Sequence, residues 1–124
     1  MEPLDEVLEQ ARRLGEVLGR HERFRRLRQA EEAVRQDAEA RQLSQELNEQ
    51  MEKIADLEAR MAPIEPEDKR RLQELRDKAR LHPVLQELAH AQADYLEMMA
   101  RVNETIQEQL GIEKPQLKQG PSLS

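Results

Sequence analysis

Apolar residues recur along this chain at alternating intervals of three and four. After Asp37 the series reads Ala40, Leu43, Leu47, Gln50, Ile54, Leu57, Met61; after His82-Pro83 it reads Leu85, Leu88, Gln92, Tyr95, Met99, Val102, Ile106. On a helix this rhythm lays one narrow apolar stripe, a coiled-coil-like seam, along each segment. A seam has to be covered by another helix, of this chain or of a second one. The expected fold is all-α: an elongated bundle of about five helices, two of them long, in an intertwined or coiled-coil-like oligomer. Leu43, Leu47, Ile54, Leu57 and Met61, with Leu88, Tyr95, Met99, Val102 and Ile106, form the candidate oligomer or partner interface. Gln50 and Gln92 interrupt the seams. A polar residue there either fixes register or marks the seam's exposed edge, and both readings stay open.

Punctuation residues place the ends of the elements. A first helix is predicted over Leu4–Leu18, with Pro3 suited to a first-turn position and Gly19 to a stop. A second covers His21–Gln36, with Phe24, Leu27, Ala30 and Val34 on one face. Asp37 is the predicted N-cap of a third, Ala38–Ala62. Pro63 and Pro66 mark a turn. A fourth helix over Pro66–Leu81 opens with Glu67 and Asp68, where the helix dipole favours acids. His82-Pro83 disfavours continuity. A fifth helix then runs to Leu110, capped by Gly111. Residues 1–111 read as a single helical domain, and 112–124, with two prolines and a Gly-Pro step, as a flexible C-terminal tail.

The halves echo each other at an offset of 45 residues. Leu27, Ala30, Val34, Leu43 and Ile54 align with Leu72, Leu75, Ala79, Leu88 and Met99. Amphipathic helices match in part by chance; the coincidence of the two breaks, Asp37 with His82, is the non-trivial part.

Composition limits the core. Leu, Ile, Val and Phe make up 27 of 124 residues, and Phe24 and Tyr95 are the sole aromatics. That is close to the roughly 20% below which chains tend to disorder, so periodicity carries the folded reading, and self-association is the natural way to bury more surface. The net charge of −6 makes free nucleic acid a poor default partner. There is no cysteine, hence no disulfide, thiolate metal site or thiol nucleophile. The opening Met1-Glu2-Pro3-Leu4-Asp5 lacks the layout of a signal peptide, and no apolar run is long enough for membrane insertion. A cytoplasmic location is expected.

Little in the pattern suggests catalysis. Glu87-x-x-His90 has the spacing used in di-metal helical bundles, but such sites need a second pair and two further Glu. Glu87, His90 and Asp94 also point away from the seam, which predicts a solvated face. His21 and His82 sit at helix boundaries and read as caps. The glycines form no phosphate loop, and the serines have no nearby His and Asp. No catalytic residue, cofactor or metal is therefore assigned. Exposed carboxylates should pair along their own helices: Glu22 with Arg26, Glu31 with Arg35, Glu74 with Lys78.

One cluster is asymmetric. Arg20, Arg23, Arg25, Arg26 and Arg28 crowd nine residues. Arg20, Arg23 and Arg26 share a face and form a possible basic partner surface. They either complement the acidic long helices or contact RNA, although direct nucleic-acid binding is not expected without aromatics to stack on bases.

The run Ala11, Arg12, Arg13, Leu14, Gly15, then Phe24, then Ala30 to Val34 and Asp37 to Ala40, resembles the YlbF/YmcA family of small bacterial helical proteins. So does His82-Pro83-Val84-Leu85-Gln86, where that family often has an Asn-Pro start to its last long helix. The similarity spans Leu4 to Gly111. It implies an all-α, intertwined oligomer without enzyme activity. Characterised relatives regulate competence, sporulation and biofilm formation, as accessory subunits of a complex that influences messenger RNA processing by a membrane-attached ribonuclease. Some relatives carry iron–sulfur clusters on cysteines, which this chain lacks. The implied function is a regulatory adaptor acting through helix-mediated contacts. Its expected partners are itself, as a homodimer or higher oligomer, other YlbF-like subunits, or a ribonuclease-associated complex. The alternatives are an RNA-contacting protein using the arginine cluster and a generic helical scaffold.

Overall fold

The computed structural model describes residues 3–112. They form five helices and no strand: α1 (Leu4–Arg20), α2 (Glu22–Gln36), α3 (Ala38–Ala59), α4 (Pro66–Leu81) and α5 (Pro83–Leu110). The all-α expectation holds. All of the predicted tail except Ile112 lies outside the described residues.

Each break has a local cause. The Asp37 side chain accepts from the Ala40 N–H at 2.8 Å, capping α3. Proline occupies the first position of α5 and has no N–H to satisfy, so His82 Nδ1 accepts from the next one, Val84, at 3.3 Å. His21 caps α2 in the same way, accepting from Arg23 N–H at 3.0 Å. Two ends differ from prediction. Gly19 does not stop α1, which continues to Arg20 and ends at the extended residue His21; a glycine in a last turn lowers helix propensity without forbidding the helix. The third helix ends at Ala59, not Ala62. There the Ala62 N–H bonds Leu57 O and the Met61 N–H bonds Glu58 O, a Schellman closure with Met61 at φ +57°. Met61 is thus a turn residue and 92% exposed, not part of a seam.

The chain doubles back on itself. α2 packs antiparallel on α5, and α3 packs antiparallel on α4. The rod α2–α3, bent at Asp37, therefore lies beside the rod α4–α5, bent at His82. The 45-residue offset reappears in three dimensions, because exchanging the halves turns the α2–α5 pairing into the α4–α3 pairing. Arg26 and Arg71 are equivalent positions, and each reaches acids on the long helix opposite: Glu87 and Asp94 for the first, Glu46 for the second. A two-fold exchange brings equivalent residues together at its axis. Asp37 and His82 are such a pair, with Nε2 3.8 Å from Oδ1.

The core is narrow. Leu27, Ala30 and Ala91 form its centre, with Leu88 and Tyr95 packed against them. Phe24 and Tyr95 meet at 6.0 Å between ring centroids. Ala40, Leu43, Leu75 and Met98 are also buried. Small residues at the contacts let backbones approach closely, which suits a chain with few large side chains.

Candidate partner-binding surface

The seams locate most, but not all, of the buried positions. On α3, Leu43 is buried and Leu47, Ile54 and Leu57 are half-buried. On α5, Leu88, Tyr95, Met99 and Val102 are half-buried, and Ile106 is exposed. The most buried residues of α5 are Ala91 and Met98, on the seam's flank. Helix α5 is thus rotated from the expected orientation, so that its 91–94–98 side faces α2. Gln50 is half-buried and donates to Asp68 O at 3.0 Å, whereas Gln92 is exposed.

The α2–α5 contact buries Leu27, Ala30 and Ala91 and is edged by ion pairs. Arg26 donates from Nε to Glu87 at 2.7 Å and from Nη1 to Asp94 at 2.9 Å. Arg23 Nη1 donates to the Asp94 carbonyl at 3.2 Å and pairs with Glu97. The face of Glu87 and Asp94 is therefore not simply solvated, as the sequence suggested: it is the α2 contact. The Arg26 hydrogen bond holds the Glu87 carboxyl below its ordinary pKa, and Glu87 in turn raises that of Arg26. At the equivalent end, Lys53 Nζ lies 2.9 Å from Asp68 and its hydrogen bond lowers the Asp68 pKa. The predicted intrahelical pairs also change. Arg26 bridges to α5, not to Glu22. Arg35 pairs with Glu32, not Glu31, and Glu74 lies within 4.0 Å of Arg71. Of the three residues of the proposed basic surface, Arg23 and Arg26 are engaged inside the chain, and Arg20 is exposed.

Asp37, Glu39 and His82 each place one ligand-type atom within 4.8 Å of the others. The capping role constrains this cluster. His82 Nδ1 accepts the Val84 N–H, so the neutral ring carries its proton on Nε2 and points it at Glu39, 3.3 Å away. Binding a metal through Nε2 would require that proton to leave and the cap to weaken. The geometry is that of a latch between two helix starts.

Apolar surface is left uncovered on every part of α1, and singly at Met51, Leu81, Leu96, Ile106 and Leu110 on the other helices. No residue of α1 is buried, and the helix packs only on α2. Leu4, Val7, Leu8, Leu14 and Val17 are 38–65% exposed, with Leu4, Val7 and Leu14 on one stripe and Leu8 and Val17 on its flanks. Between α1 and the far end of α5 runs an open groove of about 470 Å³, floored by Leu14, Met98, Val102 and Ile106 and edged by Arg23 and Arg101. A second crevice, about 420 Å³, lies where α3, α4 and α5 meet, beside Leu47, Ala79, Leu85 and Leu88. The helical spacing of Leu4, Val7, Leu8, Ala11, Leu14 and Leu18 predicts α1 itself, while the long helices, not α1, supply the interface residues expected from the sequence.

The family model described as "Control of competence regulator ComK, YlbF/YmcA" matches residues 7–111. The chain belongs to this family. The match runs from the first helix to Gly111, so α1 is part of the family's common domain. Two solved structures are similar to it. One is a protein of unknown function (DUF964) from Bacillus stearothermophilus: 23% identity, 96% of this chain and 98% of that one, TM-score 0.71. The other is Bacillus subtilis RicA, solved in complex with RicF: 18% identity, 84% of this chain and 92% of that one, TM-score 0.71. At these identities the likeness is one of fold. No curated protein matches the chain. Among the described residues, no helix of this YlbF/YmcA member is long and apolar enough to cross a membrane.

Proposed function

We propose that this YlbF/YmcA member is a non-enzymatic regulatory adaptor of the cytoplasm, working as a subunit of protein assemblies. The observation that carries the reading is α1, a seventeen-residue helix with no fully buried side chain, in which Leu18 alone is partly covered. A contiguous exposed apolar stripe of this kind marks an interaction surface. Membership of a family described by control of a competence regulator supports a regulatory role. The similar RicA was solved with a protein partner, which supports assembly with other subunits of its kind. The finer reading is that the chain joins itself and YlbF-like subunits, and through them a complex that affects messenger RNA processing by a ribonuclease.

Affinity capture of the full chain from its native cells tests this. The expected result is recovery of family-related subunits together with a ribonuclease, and altered transcript processing in cells lacking the chain. Stoichiometric recovery of an unrelated enzyme, with transcripts unchanged, would overturn it.

A further inference from the structure

We infer that Asp37, Glu39 and His82 bind one divalent cation of the zinc class at the joint where α3 and α5 begin. Their ligand-type atoms converge within 4.8 Å of one another. His82 Nε2 lies 3.3 Å from Glu39 Oε1 and 3.8 Å from Asp37 Oδ1. Ligands around a tetrahedral zinc, with bonds of about 2.1 Å, stand about 3.4 Å apart. The three groups already sit close to that spacing. One imidazole with two carboxylates suits zinc better than magnesium or calcium, which take oxygen ligands. The sequence hides the set, because Asp37 and Glu39 lie half a chain away from His82 and form no ligand spacing with it.

The costs of binding are modest. Coordination through Nε2 moves the ring proton to Nδ1, so the Val84 N–H loses its acceptor. At 3.3 Å that bond is the longest of the three side-chain caps, against 2.8 Å at Asp37 and 3.0 Å at His21. Pro83 holds the first turn of α5 in helical geometry without it. Asp37 keeps its own cap: Oδ1 accepts the Ala40 N–H, and the carboxylate has further lone pairs for a metal. The Glu39 side chain is 83% exposed, so its carboxylate closes on an ion without disturbing the fold, while the His82 ring is held in place at 12% exposure. Two helix N-termini oppose a cation through their dipoles, and two carboxylates outweigh those partial charges with full ones. Glu39 and His82 also line an open cavity of about 540 Å³, beside Leu43, Glu46, Lys78 and Leu81, which gives the ion an entry path. A bound ion ties the bend of one rod to the bend of the other, and so stabilises the folded chain.

Isothermal titration of the full chain with zinc chloride, after treatment with a chelator, tests this. The expected result is one zinc per chain and a higher thermal midpoint when zinc is present. Glu39→Gln removes an exposed ligand that caps nothing. His82→Asn removes the imidazole but keeps a residue type that caps helices well. Each variant should retain the parent's circular dichroism and lose both zinc binding and the thermal shift. Glu52→Gln, an exposed acid further along α3, and His90→Gln, an exposed histidine of α5, should bind zinc as the parent does. A parent chain that takes up no zinc overturns the proposal. So does binding that survives Glu39→Gln and His82→Asn, that His90→Gln abolishes, or that magnesium displaces. The adaptor reading is decided separately, by which proteins the chain captures.

Discussion

Arg26 illustrates what single residues contribute. Its guanidinium spans Glu87 and Asp94, two acids seven residues apart on α5, and so bridges α2 to that helix. The Glu87 carboxyl is held below its ordinary pKa mainly by this hydrogen bond. A depressed folded-state value gives stability that is present above the unfolded carboxylate range and lost as pH falls through the lowered value. Arg26→Ala should therefore destabilise the chain most near neutral pH, and the gap to the parent should narrow as acid protonates Glu87. Urea midpoints measured from pH 7 to pH 3 check this; a gap constant with pH contradicts it. Met61 makes the opposite case. It sits at φ +57° in the Schellman turn, 92% exposed, where a side chain gains nothing and its Cβ is crowded. Met61→Gly should stabilise the chain by up to about 1 kcal/mol, less the entropy glycine gives the unfolded state. A lower thermal midpoint for that variant would show that Met61 has a packing role.

At the scale of elements, helix ends were legible and helix partners were not. Asp37, His82-Pro83, Pro66 and Gly111 each fix a backbone feature by their own chemistry, so sequence reasoning locates them. Gly19 misled because its conformational freedom permits a stop without requiring one. Pairing depends on which side of a stripe is used. Ala91 and Met98 lie beside the α5 seam, and alanine carries little weight in an apolar pattern although it allows the closest contact. The cross-helix arginine bridges were equally hidden, since intrahelical partners for the same charges were available at suitable spacing. Leu75 shows what α3–α4 pairing contributes: it is 1% exposed and the largest fully buried side chain among the described residues. Leu75→Ala should cost about 2–5 kcal/mol by lost burial and cavity formation. A chemical denaturation shift under roughly 0.5 kcal/mol would be the behaviour of a surface site and would refute that packing.

For the whole molecule, the organisation is two bent rods laid antiparallel, with their joints touching at Asp37 and His82. Each of α2 to α5 buries residues within this hairpin, and α1 buries none. The fold class, helix count and family could all be read from the sequence. The exposed surface could not, because a 3-4-3-4 stripe signals burial without saying where. Sequence reasoning assigned the open interface to α3 and α5. In the structure Leu43 is buried, most of the other named seam residues are half covered, and α1 is the helix with no buried residue.

Sedimentation equilibrium of the full chain at micromolar concentrations tests the central claim most directly. The account, in which the chain works as a subunit of protein assemblies and joins itself, predicts a dimer or larger assembly. A parent chain that sediments as a monomer of 14.5 kDa at every concentration would contradict it.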